Sequence, residues 1–360
     1  MNDTTVRWFR PGDRNGFLEL YRQVFESDPD TEWFAWKYER NPYVDHIPIV
    51  VAEHDGTLVG ARSFFALEMR VDGERRRVLQ PCDTMVHAEH RRRGLLVRMT
   101  ERAIGRYEST HKPFFFNFPN DKTLAGNLKL GWHLVGTVPT YYRVENLRRV
   151  VGAMTDFKPA RVASRVGETV VSGYNTLRAR NGHTSSDSSV QRLSAIPVDE
   201  LASLYRAAVP TEIHAVRDET FYEWRFENPH WTYTTYLATD GTKPTAGIVV
   251  GESVDSEFGL VRILDVVPLC CSEREAETSA LLDRIVSAHS DAGLFAAAAC
   301  GIGESLLRSF AFHSDSTRPF SSLFRPTNHV VRPLYGSTVD ESGATLSANW
   351  CLTFAEQDTS

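Results

Sequence analysis

The stretch "HAEHRRRGLL", His87 to Leu96, sets three arginines and a glycine between a strand-like run and a helix-like run. A strand that feeds a helix through a tight loop leaves the first helical N–H groups unpaired and aimed outward. The helix dipole adds partial positive charge at that end, which suits the loop to a pyrophosphate. Gly94 lets the backbone approach phosphates without a Cβ in the way, and Arg91, Arg92 and Arg93 add attraction and charge-assisted contacts. Neither Gly-x-x-x-x-Gly-Lys-[Ser/Thr] nor Gly-x-Gly-x-x-Gly is present. On the strand before the loop, read at about Val78–Val86, Asp83 is the only carboxylate, and burial there would raise its pKa toward that of a useful general base. Alternation sets Gln80, Cys82 and Thr84 on one face and Asp83, Met85 and His87 on the other; a β-bulge would exchange them. A structural hydrogen bond is the other reading of Asp83. His87 is a candidate base by residue type; a hydrated histidine beside a loop is the other reading. His87 and His90 lack a third metal ligand nearby in sequence, and no His/Asp arrangement can be assigned to Cys82 as a nucleophile.

The elements that must position these residues follow in order. A helix is expected over about Gly94–Tyr107, a strand at Pro113–Phe118, a helix over "DKTLAGNLKL" and a strand from Trp132 to Val144. Arg91-Arg92-Arg93-Gly94-Leu95-Leu96 after the strand "DTMVHAEH", with Asn120 and Gly131-Trp132 downstream, resembles the GNAT acetyltransferase superfamily. That family's acyl-CoA loop is [Gln/Arg]-x-x-Gly-x-[Gly/Ala]; here Leu96 stands at the last position. The resemblance covers roughly residues 1–145 and implies a set of roles. Backbone N–H groups of Met85, Val86 and His87 would hold the thioester carbonyl and pantetheine amides. Arg91–Leu96 would take the pyrophosphate, and Asn120, at the start of the following helix, would also bind the cofactor. The base would come from the region of Gln80, Cys82 and Asp83. The family's acid tyrosine position is Asn127, which leaves Tyr141 and Tyr142 as candidates. The resemblance also lets the last strand return toward the acceptor, so that Asp358 in "NWCLTFAEQDTS" would contact an amine; a disordered acidic tail is the other reading.

The chain repeats itself. "FLELYRQVF" (Phe17–Phe25) returns as "LASLYRAAV" (Leu201–Val209), "WKYERNP" (Trp36–Pro42) as "WRFENP" (Trp224–Pro229), and "VVAEHDGTLVGA" (Val50–Ala61) as "YLATDGTKPTAGI" (Tyr236–Ile248). "KLGWH" (Lys129–His133) returns as "SFAFH" (Ser309–His313), and the order of the words is kept. Trp36 and Trp224 read as packing residues. The expected fold class is α/β with mixed sheets, as two tandem GNAT-like domains. Residues 1–150 form the acetyl-CoA-binding one, 151–189 a connecting helix and linker, and 190–360 a degenerate copy. In that copy "CCSEREAETSALLDRI" replaces the arginine loop, so a pyrophosphate would meet Glu273, Glu275 and Glu277.

The net charge of −6 argues against a general nucleic-acid binder. Residues 1–150 hold 23 Lys/Arg against 20 Asp/Glu, the remainder 17 against 26, so the loop lies in the slightly basic half. Five cysteines (Cys82, Cys270, Cys271, Cys300, Cys351) are too few for a disulfide framework, and none has zinc-ligand spacing. No apolar run is long enough to span a bilayer and no secretory h-region opens the chain, so the expected setting is reducing and cytoplasmic. The expected function is acetyl-CoA-dependent N-acetylation of a small primary amine, an amino sugar or aminoglycoside-like molecule, with no metal, nucleic acid or membrane partner. The alternatives are a non-catalytic acyl-CoA-binding sensor or scaffold and a Fem-type aminoacyltransferase. A sensor would bind acetyl-CoA without turnover.

Overall fold

The computed structural model describes residues 4–109, 114–146, 149–150, 189–254, 256, 259–269, 274–318, 320–322, 324–334 and 343–358. The expected connecting helix, most of the linker, and Cys270 to Glu273 lie outside them. The first half runs β1 (Thr5–Trp8), α1 (Arg14–Phe25), α2 (Thr31–Phe34, continuing as a π-turn over Ala35–Glu39), β2 (Ile49–His54), β3 (Thr57–Val71) and β4 (Glu74–Val86). Then come α3 (Leu95–Glu108), β5 (Phe114–Asn117), α4 (Asp121–Lys129), β6 (His133–Val138) and β7 (Tyr141–Val144). The second half runs β8 (Ser189–Leu193), α5 (Val198–Ala207), β9 (His214–Ala215), α6 (Glu219–Arg225), β10 (Trp231–Asp240), β11 (Lys243–Ser253) and β12 (Leu260–Val267). It ends with α7 (Glu275–Ala288), β13 (Leu294–Ala297), α8 (Glu304–Ser309), β14 (His313–Ser314) and β15 (Thr327–Pro333).

The long strands form because β-branched and aromatic residues are joined by two-residue Asp-Gly turns. Asp55-Gly56 and Asp72-Gly73 all have positive φ, the backbone that a tight hairpin matched to strand twist requires. The amphipathic α1 and α3 press Phe17, Leu18 and Leu20, and Leu95, Met99, Ala103 and Tyr107, into the core.

Two mixed sheets result. The first has strand order β1-β2-β3-β4-β5-β15-β6 with β9 added alongside β3; the second has order β14-β7-β13-β12-β11-β10-β8. Each sheet therefore takes a strand from the other half of the chain. β15 lies between β5 and β6 of the first sheet, and β7 lies between β13 and β14 of the second. The single strand expected from Trp132 to Val144 is thus broken. Pro139, without an N–H to donate, separates β6 from β7, which pair in different sheets. The repeated words fold alike. Asp30 caps α2 through the Trp33 N–H at 2.7 Å, and Asp218 caps α6 through the Phe221 N–H at 3.2 Å. Asn41 accepts from the Tyr43 N–H and Asn228 from the His230 N–H. Between them, Trp36 donates to the Trp224 carbonyl at 2.8 Å and Trp224 donates to the Trp36 carbonyl at 2.9 Å.

Candidate active site

The long strand β4 carries both ends of the site. Its pairing with β3 slips between Ala61↔Met85 and Ser63↔Cys82, so an extra residue is accommodated around Asp83, whose φ is +39°. This is a β-bulge, and it rearranges the faces that simple alternation assigns. Cys82 and Asp83 both turn to the side of α1 and α2, while Thr84 turns to the side of α3, where it accepts from Arg62. On the other edge, β4 and β5 pair in parallel at Leu79↔Phe115. Beyond that point the strands part, and the outer edge of Gln80–Val86 is left open.

At the bulge a buried charged cluster assembles. The Lys37 ammonium lies 2.7 Å from Asp83 Oδ2 and 3.6 Å from Asp358 Oδ2. Tyr38 donates its hydroxyl to Asp83 and lies 3.6 Å from Cys82 Sγ. Gln80 is fully buried and spans to the C-terminal segment: its Nε2 donates to the Glu356 carbonyl at 2.9 Å, and its Oε1 accepts from the Asp358 N–H at 2.8 Å. Burial disfavours the Lys37 ammonium, but Asp83, Cys82 and Asp358 outweigh it and its pKa moves up. Burial raises the Tyr38 hydroxyl and the Cys82 thiol far above their ordinary values. Burial thus works against a Cys82 thiolate, the form a nucleophile needs. Burial also raises Asp358, against the pull of Lys37.

Asp358 belongs to no disordered tail. Residues 353–358 are fixed by the second half. Arg225 donates to the carbonyls of Ala355 at 2.8 Å and Gln357 at 2.7 Å. Glu356 is fully buried and accepts from the Ala215 N–H, the Thr353 N–H and Arg217. Arg217 is held in turn by Asp265 at 2.8 Å. Nor is the segment a sheet strand: the bridge Ile213↔Trp350 precedes it, and it forms a short 3-10 turn at Phe354–Glu356. Side-chain anchors to Arg217 and Arg225 take the place of a ladder.

At the other end of β4, Arg91, Arg92, Arg93 and Gly94 are exposed, and α3 starts at Leu95. Gly94 has φ +71° and a Cβ there would meet nothing within 4 Å, so conformation rather than crowding demands glycine. A cavity of about 260 Å³ opens against Val86, Gly94, Leu95 and Leu96. The open edge of β4, the free N–H groups of the first α3 turn and this cavity together fit an acyl-CoA. Two assignments change in detail. The His87 N–H is already bonded to the Val59 carbonyl at 2.9 Å, so it is no free donor. Ladder alternation turns Val86 rather than Met85 or His87 toward the open edge. Arg91 folds back on the Val86 carbonyl at 3.0 Å, leaving Arg92 and Arg93 turned to solvent. Asn120 caps α4, accepting from the Thr123 N–H at 3.0 Å.

Tyr141 and Tyr142 are not brought to this cluster. They lie on β7 in the second sheet, with Tyr142 stacked on Phe324 at 4.2 Å and on Phe320. The residues missed in sequence are Lys37 and Tyr38. Their signal was present in "WKYERNP", where a lysine sits inside an aromatic helix, but nothing in it points to β4. Among the described residues no group of three or more His, Cys, Asp or Glu could hold a metal ion, and no helix is long and apolar enough to cross a membrane.

Residues 5–135 match the profile of the acetyltransferase (GNAT) domain family. A probable N-acyltransferase of Enterococcus faecalis V583 shares the fold at TM-score 0.64 and 10% identity, over 94% of this chain and 75% of its own. Saccharomyces cerevisiae N-myristoyltransferase with bound myristoyl-CoA gives TM-score 0.61 at 12% identity, over 94% and 80%. A GCN5-related N-acetyltransferase from Anabaena variabilis ATCC 29413 gives 0.59 at 12% identity, over 92% and 73%. No curated protein matches the chain in sequence. The fold is that of the GNAT-type acyltransferases, with the acetyltransferase domain matched at residues 5–135.

Proposed function

We propose that this chain is an acetyl-CoA-dependent N-acetyltransferase of a small, cationic primary amine, such as an amino sugar or aminoglycoside-like molecule. The observation that carries the reading is that one strand, β4, joins the two halves of the chemistry. Its bulge holds the Asp83–Asp358 carboxylate pair around Lys37, and its open edge runs into the Arg91–Leu96 loop. Acetyl-CoA supplies an activated acetyl group. Val86, Gly94, Leu95 and Leu96 line its place, with Arg92 and Arg93 attracting the phosphates. The carboxylate pair takes the proton of the acceptor amine, and burial raises the Asp358 carboxyl above the ordinary range. Tyr38 is the hydroxyl beside these groups and replaces the tyrosine lacking at Asn127. The acidic second half favours a cationic acceptor over tRNA or membrane.

The second half reads as a duplicated, degenerate copy that has kept the fold and lost the phosphate loop. The reciprocal tryptophan bonds, the matched caps and the crossing of β7 in one direction and of β9 and β15 in the other support that reading. Domain limits of 1–150 and 190–360 then describe duplicated sequence rather than separable bodies, since each sheet completes the other.

Calorimetric titration of wild type and Gly94→Glu with acetyl-CoA, then free-thiol detection with an amine panel, tests the proposal. Micromolar binding lost in the variant, with thiol release in the presence of one amine class, is expected. No binding by wild type overturns it. Binding without turnover on any amine would favour an acyl-CoA sensor, and a preference for myristoyl-CoA would change the acyl donor.

A further inference from the structure

Arg62 is a fully buried cation, and among the described residues no carboxylate acts on it. It stands on β3 between Gly60 and Phe64, on the face that α3 covers. A Cβ at Gly60 would touch Met99 of α3, and Phe64 packs on Tyr107. One guanidinium N–H donates to the Thr84 hydroxyl, and the Phe64 ring lies 5.9 Å away. Its Nε is buried without a partner among the described residues. The neighbouring titratable group is the Cys82 thiol, and burial pulls the arginine down to about 10.

Burying a guanidinium without a negative partner is strongly unfavourable. The same protein shows how such a group is otherwise satisfied: Arg217 meets Asp265 and Glu356, and Arg225 meets backbone carbonyls. Arg62 has instead Thr84, a residue of the β4 bulge, placed where β4 has left β5 and its edge is open. A buried cation kept at that point implies a partner of opposite polarity that arrives from outside.

We propose that Arg62 binds the carbonyl oxygen of an acyl-CoA thioester lying along the open edge of β4. The inference rests on the acyltransferase reading above and adds a thioester-binding residue to it. As the amine nitrogen bonds to the carbonyl carbon, that oxygen gains negative charge. It returns to a neutral carbonyl when the C–S bond breaks, the amine proton passes to the carboxylate pair and the departing thiolate takes up a proton from solvent. A desolvated guanidinium beside the oxygen stabilises the charged stage far more than a hydrated one would.

The test compares wild type, Arg62→Met and Arg62→Lys by thermal unfolding without ligand. Titration follows with acetyl-CoA and with S-ethyl-CoA, the thioether that lacks the carbonyl. Unliganded Arg62→Met is expected to melt at or above wild type, because an uncompensated charge leaves the interior. Wild type is expected to prefer acetyl-CoA over S-ethyl-CoA by about tenfold, with that preference abolished in Arg62→Met and partly kept in Arg62→Lys. A variant that fails to fold, or melts well below wild type with the preference intact, would make Arg62 structural and overturn the assignment. Equal loss of both ligands would place Arg62 elsewhere on the cofactor, which also overturns it. If wild type binds neither ligand, the acyltransferase reading itself fails, and the two failures are thereby distinguished.

Discussion

Lys37 and Arg225 occupy equivalent places, each following one tryptophan of the reciprocal pair, yet both reach the same C-terminal segment in different ways. Lys37 meets the Asp358 carboxylate at 3.6 Å, whereas Arg225 holds the Ala355 and Gln357 carbonyls at 2.8 and 2.7 Å. In the first half the cation lies between the two carboxylates; in the second half it fixes the segment that brings Asp358 there.

Replacing Arg225 by Met should therefore loosen residues 354–358 while leaving β4 in place. Two buried carbonyls lose their donors, which costs about 1–3 kcal/mol each at most. Hydrogen exchange of the C-terminal peptide should quicken, including the Asp358 N–H now held by Gln80. The opposite sign expected for Arg62→Met separates a guanidinium kept for structure from one kept for a ligand.

Asp83→Asn removes the carboxylate closest to Lys37 and leaves that ammonium deeply buried with Asp358 at 3.6 Å. Breaking one side of a buried pair typically costs about 3–5 kcal/mol. Asp358→Asn spares the shorter pair and should cost less, while lowering acetyl transfer at least as much if the carboxylate pair acts as the base. Denaturant midpoints and initial rates on the two variants, with acetyl-CoA affinity unchanged in both, check this ordering.

Two buried histidines make the fold acid-sensitive. Burial lowers His329 from 6.5 to about 3 and His214 from 6.5 to about 4. A depressed histidine contributes stability that is fully present above the unfolded value and is lost as pH falls toward the folded one. His329→Gln removes one of these losses. The stability difference between variant and wild type should therefore grow in the variant's favour by about 1.4 kcal/mol per unit as pH drops below 6.5. Urea titrations at several pH values between 7 and 4 measure it, and carboxyl groups raised by burial cancel in the difference.

Cys300 and Cys351 are joined, with Cα atoms 5.5 Å apart and a sequence separation of 51. The bond ties the loop after β13 to the start of the segment that ends at Asp358. Closing a loop of that length stabilises by roughly 2–4 kcal/mol. Cys300→Ser, or reduction with dithiothreitol, should lower the melting temperature, and the Cys300→Ser variant should show no further response to reductant.

The sequence by itself determined what depends on local order: the strand–loop–helix around Arg91–Leu96, the glycine at a positive φ, the Asp-Gly hairpins and the repeated words that became matched caps. Those signals are short-range, because a turn or a helix start is specified by a few adjacent residues. It also placed Asp83, Cys82 and Gln80 on the right strand, but it could not choose their faces, since one extra residue in β4 reverses the alternation. Only the tertiary structure decided the rest. Lys37 and Asp358 come to Asp83 from 46 and 275 positions away in the chain, and β7 and β15 cross to the opposite sheets. Such partners are selected by what buried charges and open strand edges must find on folding, and no window of sequence contains both members of those pairs.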